Sequence, residues 1–252
     1  MKDKILIIIK ILLILVMLAA AGYLVYEFRD DIKALKEYAQ IRESVIVRTP
    51  QKENEAEGVS SIYKVDDPYG LDKNIDEEAL RMQNDEYHSW LYVPEVGIDL
   101  PVVWPTDNYK YLDKSFLKNE NVNGCLFFDA TGKPLKDMNT VIHGHNIKSG
   151  LMFGRLKELI DKKYEDKEVY AYLLTDGRWQ QYRLLCVYTA EDINAYPYTG
   201  NFTDDELYEF MDYIYRLSRI KKDSKGDTKK LLTLSTCHGD ELKLMCVFEK
   251  LD

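Results

Sequence analysis

The chain lacks an excess of positive charge. Its 252 residues include 34 Lys and Arg against 43 Asp and Glu, which gives a formal net charge of −9. Binding to a phosphate backbone requires a basic patch, and no Lys/Arg cluster in this sequence is interleaved with aromatic residues. We therefore expect no nucleic-acid partner.

Cysteine is also sparse, and its spacing gives no sign of a cross-linked scaffold. The chain has four cysteines, and none of them form the closely spaced pairs that are typical of structural zinc sites. Cys125, Cys186 and Cys246 lie in apolar, strand-like runs, where a buried free thiol is the usual state. We expect no disulfide framework.

A long apolar run is present at the N-terminus. Residues 5–26 are apolar except for Lys10, which is enough to cross about 30 Å of hydrocarbon as a helix rising about 1.5 Å per residue. A cleaved signal peptide is the alternative, because Ala19-Ala20-Ala21-Gly22 resembles a cleavage site. We favour a retained anchor, since the apolar run continues past these alanines.

The distribution of charge predicts the orientation of this anchor. Lysines lie before or early in the apolar run and acidic residues follow it, so the positive-inside rule places the N-terminus in the cytoplasm. We expect a single-pass protein of the cell membrane with most of the chain outside. Residues 1–26 are then the cytoplasmic tip and the anchor, residues 27–75 a polar, acidic stalk or linker, and residues 76–252 one folded domain.

The folded domain contains many strand-like runs and few helical ones. Apolar and β-branched runs, with Asp176-Gly177 as a hairpin signal, predict eight strands: residues 90–93, 98–104, 125–128, 140–145, 168–175, 179–189, 231–237 and 242–248. Helical periodicity or a helix-start pattern marks residues 75–82, 151–159 and 204–220. This pattern predicts a mainly β protein, a barrel or a sandwich with helical insertions.

A cysteine and a histidine stand at the ends of two of these runs. Thr233-Leu234-Ser235-Thr236-Cys237 closes one run of β-formers, and a second run about ninety residues upstream leads through Gly144 to His145. A thiol at a strand end can act as a nucleophile, and an imidazole can supply the base or acid that it needs. The two motifs predict cysteine chemistry.

These two motifs belong to an ordered series along the chain. The series consists of Asn84-Asp85 with Trp90-Leu91, Ile98 to Val103, Asp107-Asn108 with Tyr111-Leu112, Gly124 with Phe127 and Asp129, Gly144-His145-Asn146 with Met152-Phe153, and Thr233 to Cys237. It resembles the class B sortases, which are membrane-anchored cysteine transpeptidases of the Gram-positive cell surface. Such a series is specific where one motif alone would be weak. The resemblance covers about residue 84 to the end and implies an eight-stranded sortase-like β-barrel.

The resemblance also implies a mechanism and partners. Cys237 would attack the C-terminal sorting signal of a surface protein and form a thioacyl enzyme, which an amine of the peptidoglycan precursor then resolves. His145 would protonate the leaving amine and deprotonate the incoming one. No cofactor is implied. The family pattern places four further residues along the substrate groove: Asn108, Leu112, Ser235 and Thr236.

The sequence departs from this family after the cysteine. Sortases place an arginine on the last strand, but this chain has none after Arg219, and Leu244 takes its place with Lys243 beside it. The short turn before the last strand could aim Lys243 into the site as the oxyanion or substrate cation, or Arg178, Arg183 or another distant side chain could substitute. A third hypothesis is a sortase-fold protein with weak or no turnover that binds surface-protein or pilin-like partners.

Two other hypotheses concern the histidines and the acceptor. His143 and His145 form a His-x-His pair that, with Cys237 and His238, would supply enough ligands for zinc, but no spaced cysteine pair supports this, and we expect no metal site. A cysteine peptidase or amidase would release its product to water. Dependence of product formation on an added amine would separate transfer from hydrolysis.

Overall fold

A computed structural model of the chain describes residues 2–45, 66–191, 200–239 and 242–251. Its α-helices within these ranges are α1 (Lys2–Val45), α2 (Glu77–Gln83) and α3 (Asp204–Leu217). Its β-strands are β1 (Tyr87–Val93), β2 (Ile98–Val103), β3 (Leu126–Phe128), β4 (Asn139–His143), β5 (Tyr170–Thr175), β6 (Arg178–Glu191), β7 (Ser218–Lys221), β8 (Asp227–His238) and β9 (Leu242–Lys250).

Eight of these strands close into a barrel. The hydrogen-bonded order is β5-β1-β2-β3-β4-β8-β9-β6, and pairing of β6 with β5 completes the ring. β2 with β3 and β4 with β8 are parallel pairs, and the other pairs in the ring are antiparallel. The short strand β7 pairs with the second half of β6 outside the ring. The predicted eight-stranded barrel is therefore confirmed, and β7 is an addition to it.

The core lies inside the barrel, with a second apolar layer beneath α3. Large side chains such as Trp90, Trp179 and Phe248 are fully buried in the main cluster. Leu207, Phe210 and other residues of α3 pack instead against β6 and β9. α3 begins at a capping box formed by Thr203 and Glu206, a pairing that satisfies backbone donors at a helix start.

Several turns and helix ends lie where the sequence pattern predicts them. Asp176 and Gly177 both have positive φ and join β5 to β6, as a two-residue hairpin requires. Asp76 caps α2 by accepting a hydrogen bond from the Ala79 amide at 2.9 Å. The segment predicted as a helix over residues 151–159 differs, because Gly150 has a φ of +90° and the chain forms a 3-10 helix only from Leu156.

α1 extends well beyond the apolar run and lies against the barrel domain. Lys4–Tyr26 is long and apolar enough to cross a membrane by length and composition. The helix continues into the segment that we predicted as a stalk, where Ala34, Tyr38, Ile41 and Val45 are buried. Residues 46–65 of that predicted stalk lie outside the described residues, and the division into anchor, stalk and domain stays a prediction.

Candidate active site

Cys237 lies at the exposed end of β8, directly opposite Lys243 of β9. The two residues are register partners in the antiparallel pair, and Lys243 Nζ donates to Cys237 Sγ at 3.4 Å. The other three cysteines are buried free thiols, as the sequence predicted, whereas Cys237 is exposed. The arrangement places an exposed thiol beside an amine that can carry positive charge.

The neighbours of Lys243 explain why this lysine, and not Leu244, reaches the sulfur. Leu244 is fully buried in the main core, since successive side chains on a strand point to opposite faces. Asp240 and Glu241, which complete the turn before β9, lie outside the described residues. β9 returns antiparallel beside β8, with His238 opposite Leu242.

Neither of the two arginines considered as substitutes lies near the thiol. Arg183 is buried, and it donates to Glu249 at 2.5 Å and to Glu168 at 2.7 Å. Glu249 is paired with Leu231, six residues before Cys237, or roughly 20 Å along the strand at about 3.3 Å per residue. Arg178 lies further away, at the hairpin that starts β6. The structure therefore places Lys243, and neither of these arginines, beside the Cys237 thiol.

His145 follows β4, which runs parallel to β8, so the histidine and cysteine motifs leave the barrel at neighbouring strand ends. His145 Nε2 lies 2.7 Å from the carbonyl oxygen of Leu112 and donates to it. In the part of the chain that the structure describes, His145 and Cys237 are not hydrogen-bonded to each other. Asn146 instead joins the two motifs, because its side-chain amide donates to the Cys237 carbonyl at 2.8 Å.

His143 has a different partner from His145. His143 Nε2 lies 2.9 Å from Asp129 Oδ2. Burial alone would raise the pKa of Asp129, but hydrogen bonds from His143 and Thr131 outweigh burial and lower that pKa to about 2. The two histidines therefore do not converge, and no group of three or more His, Cys, Asp or Glu among the described residues is arranged to hold a metal ion.

The four predicted groove residues differ in their exposure and in their hydrogen bonds. Leu112 is exposed, and its carbonyl carries the His145 contact. Asn108 is held by Asp129 at 3.1 Å and by the Ala130 amide at 2.8 Å, so both ends of its amide are engaged. Ser235 and Thr236 are 4% and 3% exposed. Leu112 is thus the accessible member, and the groove assignment stays a prediction.

Two further residues at this site were not assigned a role from the sequence. Asn146 appears in the sequence only as part of the Gly144-His145-Asn146 motif. Its position shortly after the end of β4 was the available signal, because a side-chain amide there can donate to the end of the neighbouring strand β8. Gly124 has a φ of +65°, and a Cβ there would lie 2.5 Å from the Tyr111 carbonyl oxygen and 3.0 Å from His145 Cδ2. Gly124 therefore allows the close approach of the histidine ring.

Gly124→Ala should destabilise the protein more than the same change at another positive-φ glycine. Gly177 has a φ of +76°, but a Cβ there would have no neighbour within 4 Å, so Gly177→Ala should cost only about 1–2 kcal/mol of backbone strain. At Gly124 the clash adds to that strain, and we expect a loss of about 2–5 kcal/mol. Urea unfolding of both variants measures the difference. Equal losses would contradict the close packing around Gly124.

The fold and the site together are typical of one class of protein, the cysteine enzymes built on a closed eight-stranded barrel. An exposed cysteine ends β8, and a histidine follows β4, the parallel neighbour of β8. The family model described as "Sortase domain" matches residues 91–245, which is more than half of the chain. The chain belongs to the sortase family, class B, and the resemblance inferred from its motifs is confirmed.

The relatives agree with this assignment. The chain is 26% identical over 165 residues to Sortase B of Staphylococcus aureus, covering 64% of this chain and 66% of the relative. It is 29% identical over 173 residues to Sortase B of Listeria monocytogenes, covering 64% and 67%. The crystal structure of Clostridium perfringens Sortase B superposes with a TM-score of 0.66 at 26% identity, covering 70% of this chain and all of that one. The chain thus matches about two thirds of each curated relative's length.

Proposed function

We propose that this protein is a cysteine transpeptidase that cleaves a C-terminal sorting signal through a thioacyl enzyme on Cys237 and transfers the surface protein to an amine of the peptidoglycan precursor. The observation that carries the proposal is the exposed Cys237 thiol with Lys243 Nζ at 3.4 Å. The thiolate is the nucleophilic form of cysteine, and a neighbouring cation stabilises it. Membership of the sortase family supports the same reaction.

Lys243 is the candidate for the positive charge that an arginine supplies in other sortases. When the thiolate attacks the scissile carbonyl, negative charge develops on its oxygen, and a donor fixed beside the sulfur stabilises that charge. An ammonium can do this as a point charge, without the bidentate geometry of a guanidinium. The pairing of Cys237 with Lys243 across β8 and β9 holds the donor beside the place where charge develops.

His145 is the candidate acid and base. Its Nε2–H now donates to Leu112, and an imidazole in this role must reach the leaving amine when the substrate is bound. Catalytic hydrogen bonds are often long or absent before substrate arrives and form in the complex. We propose that His145 exchanges the Leu112 carbonyl for the substrate amine, protonates it as it leaves, and later deprotonates the acceptor amine.

The N-terminal half of α1 is the proposed membrane anchor. Lys4–Tyr26 is exposed and has the length and composition of a membrane span, and lysines precede it while acidic residues follow. We propose a single-pass protein with its N-terminus in the cytoplasm and its barrel outside. The proposed partners, surface proteins with a sorting signal and a cell-wall amine, are then on the same side as the barrel.

A library of sorting-signal peptides tests the proposal, with the full chain in detergent micelles. Cleavage should occur without added amine, the product should change to the amine adduct when a peptidoglycan-type amine is added, and both products should disappear with Cys237→Ala. If the cleavage product stayed the same when amine was added, the protein would be a hydrolase. Binding without cleavage would favour the non-catalytic alternative, whose support is the leucine at position 244 in place of the family's arginine.

Lys243→Gln should lower the rate of cleavage roughly 10²- to 10³-fold, the usual effect of losing one donor to a developing oxyanion. Lys243→Arg should keep most of the activity, because it restores a cation at the same register position. Lys250→Gln is the control, a lysine on the same strand at its other end. Steady-state kinetics of the three variants measures the effect, and an unchanged rate in Lys243→Gln would assign the oxyanion donor to another group.

A further inference from the structure

We infer that the second half of α1 is part of the active-site architecture, and that Tyr38 of this helix is a positioning residue for His145. The inference rests on the proposed role of His145 as the acid and base. Its basis is a continuous set of contacts that runs from α1 through the segment of residues 111–125 to the imidazole. No reaction step is assigned to α1 itself.

The first contact is the hydroxyl group of Tyr38. Tyr38 is 2% exposed, and its hydroxyl donates to the Gly124 carbonyl at 3.1 Å and accepts from the Phe116 amide at 3.4 Å. Burial raises the pKa of Tyr38 well above its ordinary value, so the phenol keeps its proton and can donate. One side chain from α1 thus satisfies two backbone groups that lie 78 and 86 residues away in sequence.

Other residues of α1 hold the same segment. Lys33 Nζ donates to the Glu120 carbonyl at 3.4 Å, and Glu37 accepts from the Asn119 side-chain amide at 3.4 Å. Ile41, one turn beyond Tyr38, is 2% exposed and belongs to the main core cluster. Buried apolar area and hydrogen bonds therefore act together at this contact, and the helix is docked rather than loosely tethered.

The second contact connects that segment to the histidine. The Cys125 amide donates to the Tyr111 carbonyl at 3.1 Å, which brings the two ends of the segment together. The next carbonyl, that of Leu112, is the one that accepts from His145 Nε2. Gly124, whose carbonyl Tyr38 holds, lies so near the imidazole that a Cβ would be 3.0 Å from His145 Cδ2. Movement of Gly124 or Leu112 therefore changes the position of the ring directly.

Tyr38→Phe tests the inference with little change of shape, because it removes one hydroxyl and leaves Gly124 and Phe116 without that partner. We expect kcat of the full chain in micelles to fall about tenfold while KM stays within about twofold, since the loss of a buried hydrogen bond loosens the segment without removing the groove. Deuterium uptake in residues 111–125 should rise in the same variant.

Tyr215→Phe is the matched control. The Tyr215 hydroxyl also donates to a backbone carbonyl, that of Lys222 at 3.0 Å, but Tyr215 lies on α3 and packs in an apolar cluster that includes none of residues 111–125. We expect this variant to show similar thermal stability to Tyr38→Phe, with unchanged kcat and unchanged uptake in residues 111–125. If both variants lowered kcat equally, the effect of Tyr38 would be general destabilisation and the inference would be overturned.

A readout that needs no turnover separates this inference from the proposed function. Ring signals of histidine labelled with carbon-13, assigned by comparison with His145→Gln, should move for His145 in Tyr38→Phe and not in Tyr215→Phe. If no peptide is cleaved by the unaltered chain but these signals move, the positioning holds and the proposed function fails. If uptake and ring signals are both unchanged in Tyr38→Phe, α1 does not position His145.

Discussion

Replacing Cys237 with alanine should reduce cleavage of a sorting-signal peptide to the uncatalysed background, a loss of about 10⁴-fold or more. The thioacyl enzyme needs the sulfur itself, and removing a nucleophile leaves only whatever catalysis binding and oxyanion stabilisation supply. Mass spectrometry of the intact chain adds a direct test, because the unaltered protein mixed with substrate should gain the mass of the acyl fragment and Cys237→Ala should not.

Alkylation provides the control for this result. Cys125, Cys186 and Cys246 are buried, and burial raises their pKa values, to about 12 for Cys125 and Cys186 and further for Cys246. Iodoacetamide should therefore modify the native chain once, at Cys237, and should not modify Cys237→Ala. Residual cleavage in an unlabelled Cys237→Ala sample would show that another group, or a contaminating peptidase, is the nucleophile.

Replacing His145 with glutamine should lower the rate by about 10²- to 10⁴-fold, the range expected for loss of a general acid and base. Glutamine keeps a side-chain amide that can donate to the Leu112 carbonyl, so the segment keeps its hydrogen bond while proton transfer is lost. Acylation and transfer to the amine should both slow, which single-turnover measurements with and without acceptor will separate.

His88→Gln is the matched control for His145→Gln. His88 lies on β1, bonded to Ser89 at 2.8 Å and packed against Trp104 and Phe128, away from the strand ends that carry Cys237 and His145. We expect its kcat to stay within about twofold of the unaltered chain. A His145→Gln variant as active as this control would mean that Lys243 or water transfers the proton and that His145 serves the fold alone.

The barrel was predictable because the strand signals are strong and local. Runs such as residues 242–248 are apolar at all but one position over a length that suits a strand, and Asp176-Gly177 marks a hairpin whose two positions need positive φ. The parallel neighbours β4 and β8 carry the histidine and cysteine motifs at their ends, so the resemblance to a sortase and the geometry agree. The predicted helix over residues 204–220 was too long, because the helix ends at Leu217 and residues 218–221 form β7, a strand too short to show a clear alternation.

The sequence could not decide between Lys243 and Leu244 because the answer depends on register. A slip of one residue moves every side chain of a strand to its other face, and the sequence does not fix the register of β9 against β8. The docking of α1 was missed for another reason. Ala34, Tyr38, Ile41 and Val45 recur at helical spacing, but the polar residues between them made the segment look like a stalk. That spacing was the available signal.

The continuity of α1 limits the distance between the proposed membrane anchor and the barrel domain. A helix rises about 1.5 Å per residue, so with Lys4–Tyr26 in a bilayer, Tyr38 lies twelve residues, or roughly 18 Å, beyond the end of the span, and Val45 roughly 28 Å. The proposed anchor would therefore hold the Cys237 thiol in a shallow zone above the lipid, because Ala34, Tyr38, Ile41 and Val45 are buried against the barrel domain. The proposed substrates are then those whose cleavage point emerges close to the bilayer, and not those exposed only in the outer wall.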